Sequence, residues 1–552
     1  MRNVFVTAAF FVLFGVLLSG CGKGDINNTA GGGGATPPPT PPSTAITLSV
    51  DCSGYYCASS SNTYVGGGIG VWRAKNTHAS SYASLNVDLS NVANRDITVV
   101  FTNEGNNDVS LSPIAINVSL KREIQGNEFS ESFDEIVHFE KRVDVNELLK
   151  QSSHASQNQK LKSISPKVWY VGNKTTWIIE PYGIVENRTA TLRKQANSNG
   201  RTINFWVEDG EFEIGKITDT MLDTIRDKFS NDIYPYAVSL AGEPWGSHAY
   251  LSDFISGDQP LDIVLVNFDK DNTPHGVVGY FYGLNNFLSV PRSNEAIVLF
   301  ADTETLYLGG TDGVFGTLST MAHELTHAIN FYQRDVLHEN DNFDTFLDEM
   351  SAIMMEDVLG SKIDSVYSDI DGRYSSWLAN GDKAIYNCDF TIWEDGRYCS
   401  GKSIYNYSVA GSFGAFLLRQ YGIDFYKRLF KTNGSSSINN YRLKSVDILD
   451  RAIKAYNSEG LGRALQRWGA GIAMFPVNVS PNGFGYPELN ESGFYLRAFD
   501  GNLYASKRRL PASSPSILEA HGHFPFLRKT TSSTYKETFS VPPNVSVTIV
   551  VK

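Results

Sequence analysis

The sequence predicts a multidomain protein in which an α+β body is preceded by a β-sandwich module and followed by a small β-rich tail. Three observations lead there. A chain of 552 residues exceeds what one simple core can serve. Alternating stretches such as DITVVFTN and IAINVSLKRE mark residues 45–166, which are rich in Ser, Asn, Val and Thr, as strands of a sandwich. Over residues 167–485, apolar strand-like runs come first and helix-periodic segments follow, the order of an α+β body.

Taken in order, the first element is a leader. Arg2 precedes an apolar run from Val4 to Leu18, too short to span a membrane comfortably and shaped like a secretion signal over residues 1–20. Leu18-Ser19-Gly20-Cys21 resembles a bacterial lipobox, which implies cleavage before Cys21 and lipid on its sulfur and new amino terminus. Gly22 stands where Asp would signal retention at an inner membrane. The expected location is therefore the cell envelope, facing outside the cytoplasm, at the outer membrane or cell surface, or secreted after release. Residues 21–44 carry a Gly run and then clustered prolines, a flexible and then stiff spacer that cannot bury a core. With Cys21 taken by lipid, the four remaining cysteines pair locally as Cys52 with Cys57 and Cys388 with Cys399, as suits an oxidising compartment.

Residues 146–166 are polar and nearly without periodicity, a linker or mobile loop whose cleavage would make the β module a propeptide. The region 486–552, with YLRAFD and VSVTIVVK, reads as a small β unit. Charge narrows the partners: 47 basic against 59 acidic residues, a net −12 with no basic stripe, argues against nucleic acid. Oligomeric state is not encoded in any pattern here. Asp269 and Asp271 in FDKDNTPHG invite calcium, but Pro274 replaces the glycine that an EF-type loop requires, and an ordinary turn is the reading. His521 and His523 form an H-x-H with no suitably spaced acidic partner and are read as structural.

Residues 323–327, His-Glu-Leu-Thr-His, hold the chemistry. On a helix the two histidines stand at i and i+4, so both imidazoles can reach one metal ion, with Glu324 beside it to handle a water's proton. From Leu318 to Val336 the residues Leu318, Met321, Leu325, Ala328, Ile329, Tyr332 and Val336 share one face. His323, His327 and Asn330 lie opposite, the pattern of a helix lining a cleft.

A third ligand is needed. Asn330 and Gln333 stand where a metzincin would have Gly and His, which leaves His₂Glu with an open fourth position. A second helix over Phe343–Val358 offers it. Phe346, Leu347, Met350, Ile353 and Met354 make its apolar stripe, and Glu349 sits on the border, where a carboxylate is costly unless a cation compensates it. Glu356, seven residues on along the same line, is the rival ligand, and Asp348 is expected on the far side.

Leu347-Asp348-Glu349-Met350-Ser351-Ala352, with Glu356 after it, resembles the L-x-E-x-x-A-x-x-x-E segment that carries the third zinc ligand in gluzincin metallopeptidases. The resemblance favours Glu349. A longer series resembles the hyicolysin family of bacterial zinc metallopeptidases: TATLRKQANSNGRTINFWVEDGEF, FSNDIYPYAVSLAGEPWG, LDIVLVNFDKDN, GYFYGLNN, SNEAIVLFAD, STMAHELTHAINF and YSVAGSFGAFLLRQYG, over roughly residues 185–425. It implies a zincin-like metallopeptidase body with zinc as cofactor and protein or peptide as substrate. His323, His327 and Glu349 would hold zinc, and Glu324 would serve as general base. Gluzincins often add a Tyr or His as oxyanion donor; Tyr407 is in a suitable place and Tyr405 nearly so, although 27 tyrosines make a packing role an equal alternative. The absence of a G-x-M-E-N segment favours an endopeptidase over an aminopeptidase. In the family a strand such as Ala296–Phe300 forms the edge of the cleft, although an interior strand would read the same way. Besides a lipid-anchored zinc endopeptidase, two alternatives stand: an adhesin-like lipoprotein with an accessory or inactive peptidase domain, and a zinc hydrolase acting on a non-peptide bond.

Overall fold

Strict alternation in ASLNVDLS gives the strand Ala83–Ser90 one buried and one open face. The neighbouring RDITVVFTN, Arg95–Asn103, is buried on both faces over most of its length. Its Ile97, Val99 and Phe101 enter one core while Val100 enters another, so this strand lies between two packed layers. The computed structural model in which these strands are seen describes residues 44–116, 136–137, 145, 166–250, 252–274, 276–338, 342–364, 370–378, 385–393, 399, 403–431, 444–474, 479–505 and 507–552. The expected leader, Cys21, the Gly/Pro spacer up to residue 43 and the polar stretch 146–165 lie outside those residues. Among the described residues no helix is long and apolar enough to cross a membrane.

The tail does not form a unit of its own. Its strand Val545–Val551 pairs antiparallel with Gly70–Lys75 on one side and Arg95–Asn103 on the other. That places it third in a five-stranded sheet whose order is Ser49–Val50, Gly70–Lys75, Val545–Val551, Arg95–Asn103, His523–Thr530. In the facing sheet Thr534–Val541 runs antiparallel along Ala83–Ser90. The division into a β module at 45–166 and a separate β region at 486–552 is thus corrected: the two pieces close one sandwich. Alternation tells that a strand has two different faces but not which strand it pairs with, and here the partners are hundreds of residues apart. Phe101, Phe526 and Phe539 meet in the core between the sheets, with ring centroids 5.6 to 6.2 Å apart.

The sandwich docks on the helix Leu461–Gly471 through both apolar and charged contacts. Val71, Val100 and Val550 pack with Ala470, Ala473, Met474 and Phe484. Beside them Arg463 of the helix grips Asp51, and Glu459, just ahead of the helix, takes Arg73 at 2.7 Å. His523, on the strand His523–Thr530, is buried against Trp468 of the same helix. Burial, with His521 nearby, lowers its pKa from 6.5 to about 3. Below pH 6.5 the unfolded imidazole therefore takes up a proton that the folded one refuses. Stability is expected to fall by about 1.4 kcal/mol per pH unit from there down toward the folded pKa. Denaturant midpoints across that range should show a shallower slope in His523→Gln; an identical slope would refute this assignment.

The α+β body is built on a six-stranded sheet of order Lys174–Ile179, Glu186–Ser198, Arg201–Glu208, Leu261–Val266, Ile297–Asp302, Gly279–Phe281. Leu261–Val266 and Ile297–Asp302 are buried throughout and parallel to each other, and Leu261–Val266 is parallel to Arg201–Glu208 as well, as expected of strands covered on both faces. The run Ala296–Phe300 therefore belongs to an interior strand. The edge is instead Gly279–Phe281, antiparallel to it. Helix Gly310–Asn330 follows from the sheet, carries the pentad and ends in a π-helical turn, Phe331–Val336. Its apolar face from Leu318 to Val336 is buried in the main core as the spacing predicts. A second helix, Thr345–Ile363, packs on it, and a third, Ser403–Lys431, packs on the second. Gly414 permits that last approach, since a Cβ there would fall 2.7 Å from Met354 Cγ. Both expected disulfides, Cys52–Cys57 and Cys388–Cys399, are formed.

Candidate metal centre

Helical spacing brings the His323 and His327 rings to 4.8 Å between centroids. The second helix presents Glu349 to both: its Oε2 lies 3.1 Å from His323 Nε2 and 3.7 Å from His327 Nε2. The three ligand atoms all lie within 4.8 Å of one another. Tetrahedral zinc with bonds near 2.0–2.1 Å requires ligand atoms about 3.3 Å apart, so the set fits that ion. Glu349 is fully buried, and its Oε1 has no hydrogen-bond partner, a costly arrangement that a divalent cation would relieve.

Each imidazole is held from behind. His323 Nδ1 meets Glu356 Oε1 at 2.5 Å, and His327 Nδ1 lies 3.1 Å from Asp348 Oδ2. Carboxylates on the far nitrogens fix ring orientation and leave Nε2 for a metal. Glu356, the rival ligand of the sequence reading, is thus behind His323. Asp348 does not point away; Asn330 Nδ2 donates to its Oδ1 and draws it toward the pentad helix. Burial works against protonation of His323, but Glu349 and Glu356 outweigh it and raise the pKa to about 9. His327 is likewise raised, with Asp348 and Glu349 overcoming burial. Metal must displace these protons, so affinity declines as pH falls. Burial would push Glu356 up, yet Arg373 and His323 hold it below its usual range.

Glu324 is buried beside the edge strand. Phe281 N–H donates to Glu324 Oε2 at 2.8 Å, and a Cβ on Gly279 would come 2.5 Å from Thr320 Cγ2. Only a glycine lets the strand lie this close to the pentad helix. Burial drives the Glu324 pKa up to about 7, against the pull of His323 and His327. Such a carboxyl can both take and return a proton near neutrality.

Tyr407, on the third helix, is buried with its ring 4.8 Å from Trp393 and the Arg373 guanidinium 5.5 Å from its centroid. Tyr405 is half-buried against the main core. Arg373 had no signal in the sequence: no spacing relates it to the pentad, and only the fold brings it near. Asp269 and Asp271 are joined by Glu304, with ligand atoms within 4.8 Å. Glu304 accepts from the backbone N–H groups of Asp271 and Asn272 and from Asn267 Nδ2, so its carboxylate caps a turn. His521 does find an acidic neighbour, Asp389 at 3.1 Å, one remote in sequence.

Comparison with known proteins adds an independent line. No curated protein matches the sequence. Among solved structures, an aminopeptidase N family protein from Idiomarina loihiensis aligns at 11% identity and a TM-score of 0.30, over 49% of this chain and 44% of its own. An M1 zinc metallopeptidase from Deinococcus radiodurans aligns at 8% and 0.26, over 71% and 68%. Legionella pneumophila aminopeptidase A, in complex with aspartic acid, aligns at 11% and 0.30, over 90% and 58%. The chain thus spans less than two thirds of the Idiomarina and Legionella proteins. Residues 50–116, in the sandwich, match a domain of unknown function, DUF8571. The Peptidase M30 profile matches residues 185–552, well over half the chain, and takes in the edge strand, the pentad helix and Glu349 together. By that match the chain belongs to the Peptidase M30 family.

Proposed function

We propose that this peptidase is a zinc endopeptidase of the hyicolysin type, anchored by lipid at Cys21 and acting on protein substrates outside the cytoplasm. The observation that carries the reading is the convergence of His323 Nε2, His327 Nε2 and Glu349 Oε2 beside a buried Glu324. Bound zinc would supply Lewis acidity, acidifying water and polarising the scissile carbonyl. The chain's own residues do the rest. Glu324 takes the water proton and returns it to the leaving amine nitrogen. Tyr407 donates to the developing oxyanion. The edge strand Gly279–Phe281 ends its sheet, so an extended peptide can add to it. From Gly279 to Gly283 that edge reads Gly-Tyr-Phe-Tyr-Gly, with no acidic residue to hold a free amino terminus, which favours cleavage within a chain.

The test is zinc content and casein hydrolysis by the full-length protein and Glu349→Ala. About one zinc per chain is expected in the wild type, lost with activity in the variant. Wild-type protein without zinc, or hydrolysis surviving in Glu349→Ala, would overturn the proposal. Cys21→Ser should free the protein from the membrane fraction with its activity intact.

A further inference from the structure

We infer that Arg373 is a positioning residue of the metal centre, fixing Glu356 behind His323 and the Tyr407 ring through one buried guanidinium. The inference rests on the zinc reading above. Arg373, on the helix Ile370–Leu378, is buried, with Nη2 3.7 Å from Glu356 Oε1. That is the same oxygen that meets His323 Nδ1. The other oxygen, Oε2, accepts from Ser319 Oγ at 3.4 Å, so the carboxylate is held at both ends. On its other side the guanidinium stands 5.5 Å from the Tyr407 centroid, within cation–π range.

The fold makes room for this side chain. A Cβ at Gly411 of the third helix would fall 3.1 Å from Arg373 Cδ and 3.1 Å from Ile353 Cγ2, so the missing side chain is the slot through which the arginine stem passes. Burying a guanidinium costs several kcal/mol, and an apolar residue would fill the same space without that cost. What an apolar residue could not do is hold a carboxylate and an aromatic face in fixed relation. The planar, permanently charged guanidinium does both. Arg373 acts on the ligands only through Glu356, and on the oxyanion site only through Tyr407.

The experiment measures zinc affinity by chelator competition on the full-length protein, with thermal midpoints of the metal-free forms recorded alongside. Arg373→Gln is expected to weaken zinc binding by about 10- to 100-fold, the range for residues behind metal ligands. Arg373→Lys, which keeps the charge but not the planar fork, should recover only part of that loss. Glu356→Gln combined with Arg373→Gln should be no weaker than the worse single variant, because the two act as one unit. Gly411→Ala, which disturbs the slot without altering charge, should weaken zinc in the same direction. At saturating zinc, Arg373→Gln should lower kcat and leave KM in place. Unchanged affinity in Arg373→Gln and Gly411→Ala, or additive losses in the double variant, would overturn the inference while the zinc reading stands. A lowered midpoint with no loss of zinc would assign Arg373 to stability alone. A wild type that binds no zinc would overturn both.

Discussion

Glu324→Gln is expected to reduce casein hydrolysis by about 10²- to 10⁴-fold while leaving zinc bound. The amide has nearly the same shape, and its oxygen can still accept the Phe281 N–H that now goes to Glu324 Oε2. It cannot take a proton from water. Since the three candidate ligands are untouched, metal content should match the wild type and only kcat should fall. A variant that kept its activity would remove Glu324 from the chemistry. One that lost zinc as well would show that the carboxylate supports the metal centre rather than the reaction.

The other large effect concerns the sandwich. Deleting residues 545–552 should leave a protein that does not fold. Val545, Val547, Ile549 and Val551 all point into the sandwich core, and Val550 faces the helix Leu461–Gly471 side. At about 1.5–3 kcal/mol for each buried aliphatic side chain, the four in the sandwich core alone represent on the order of 6–12 kcal/mol. A whole domain is stable by only about 5–15 kcal/mol. The strands Gly70–Lys75 and Arg95–Asn103 would also lose the partner between them. The same reasoning predicts the fate of a protein starting at residue 167: it would keep the carboxy-terminal strands, lose the sheets they complete, and is expected not to fold. Soluble yield and circular dichroism of both truncations are the measurements. Folding and casein hydrolysis by the protein starting at residue 167 would sink the integrated sandwich.

How much of this was legible in the sequence depended on distance along the chain. The pentad and its helix were readable because i, i+4 geometry is local, and Glu349 because its place on an apolar border and its surrounding segment agreed. Asp348 was misplaced because helical periodicity cannot see Asn330 reaching across from the neighbouring helix. The edge strand was missed because Gly279–Phe281 is only three residues long, too short to show a period, while the longer apolar run beside it is the interior strand. Arg373 and the partners of Val545–Val551 follow from pairings that no window on the sequence contains.

The place of Val545–Val551 between Gly70–Lys75 and Arg95–Asn103 also sets an order of events during synthesis. The strands that emerge early must wait, with long hydrogen-bonding edges unsatisfied, until the stretch beyond the pentad has followed them out. Such non-local closure is slow, and open edges invite pairing with other chains. A chain stopped short of Val545 would already hold its pentad helix and still lack the strand that joins Gly70–Lys75 to Arg95–Asn103, so the sandwich is the part of the molecule whose closure depends on the last stretch to be made.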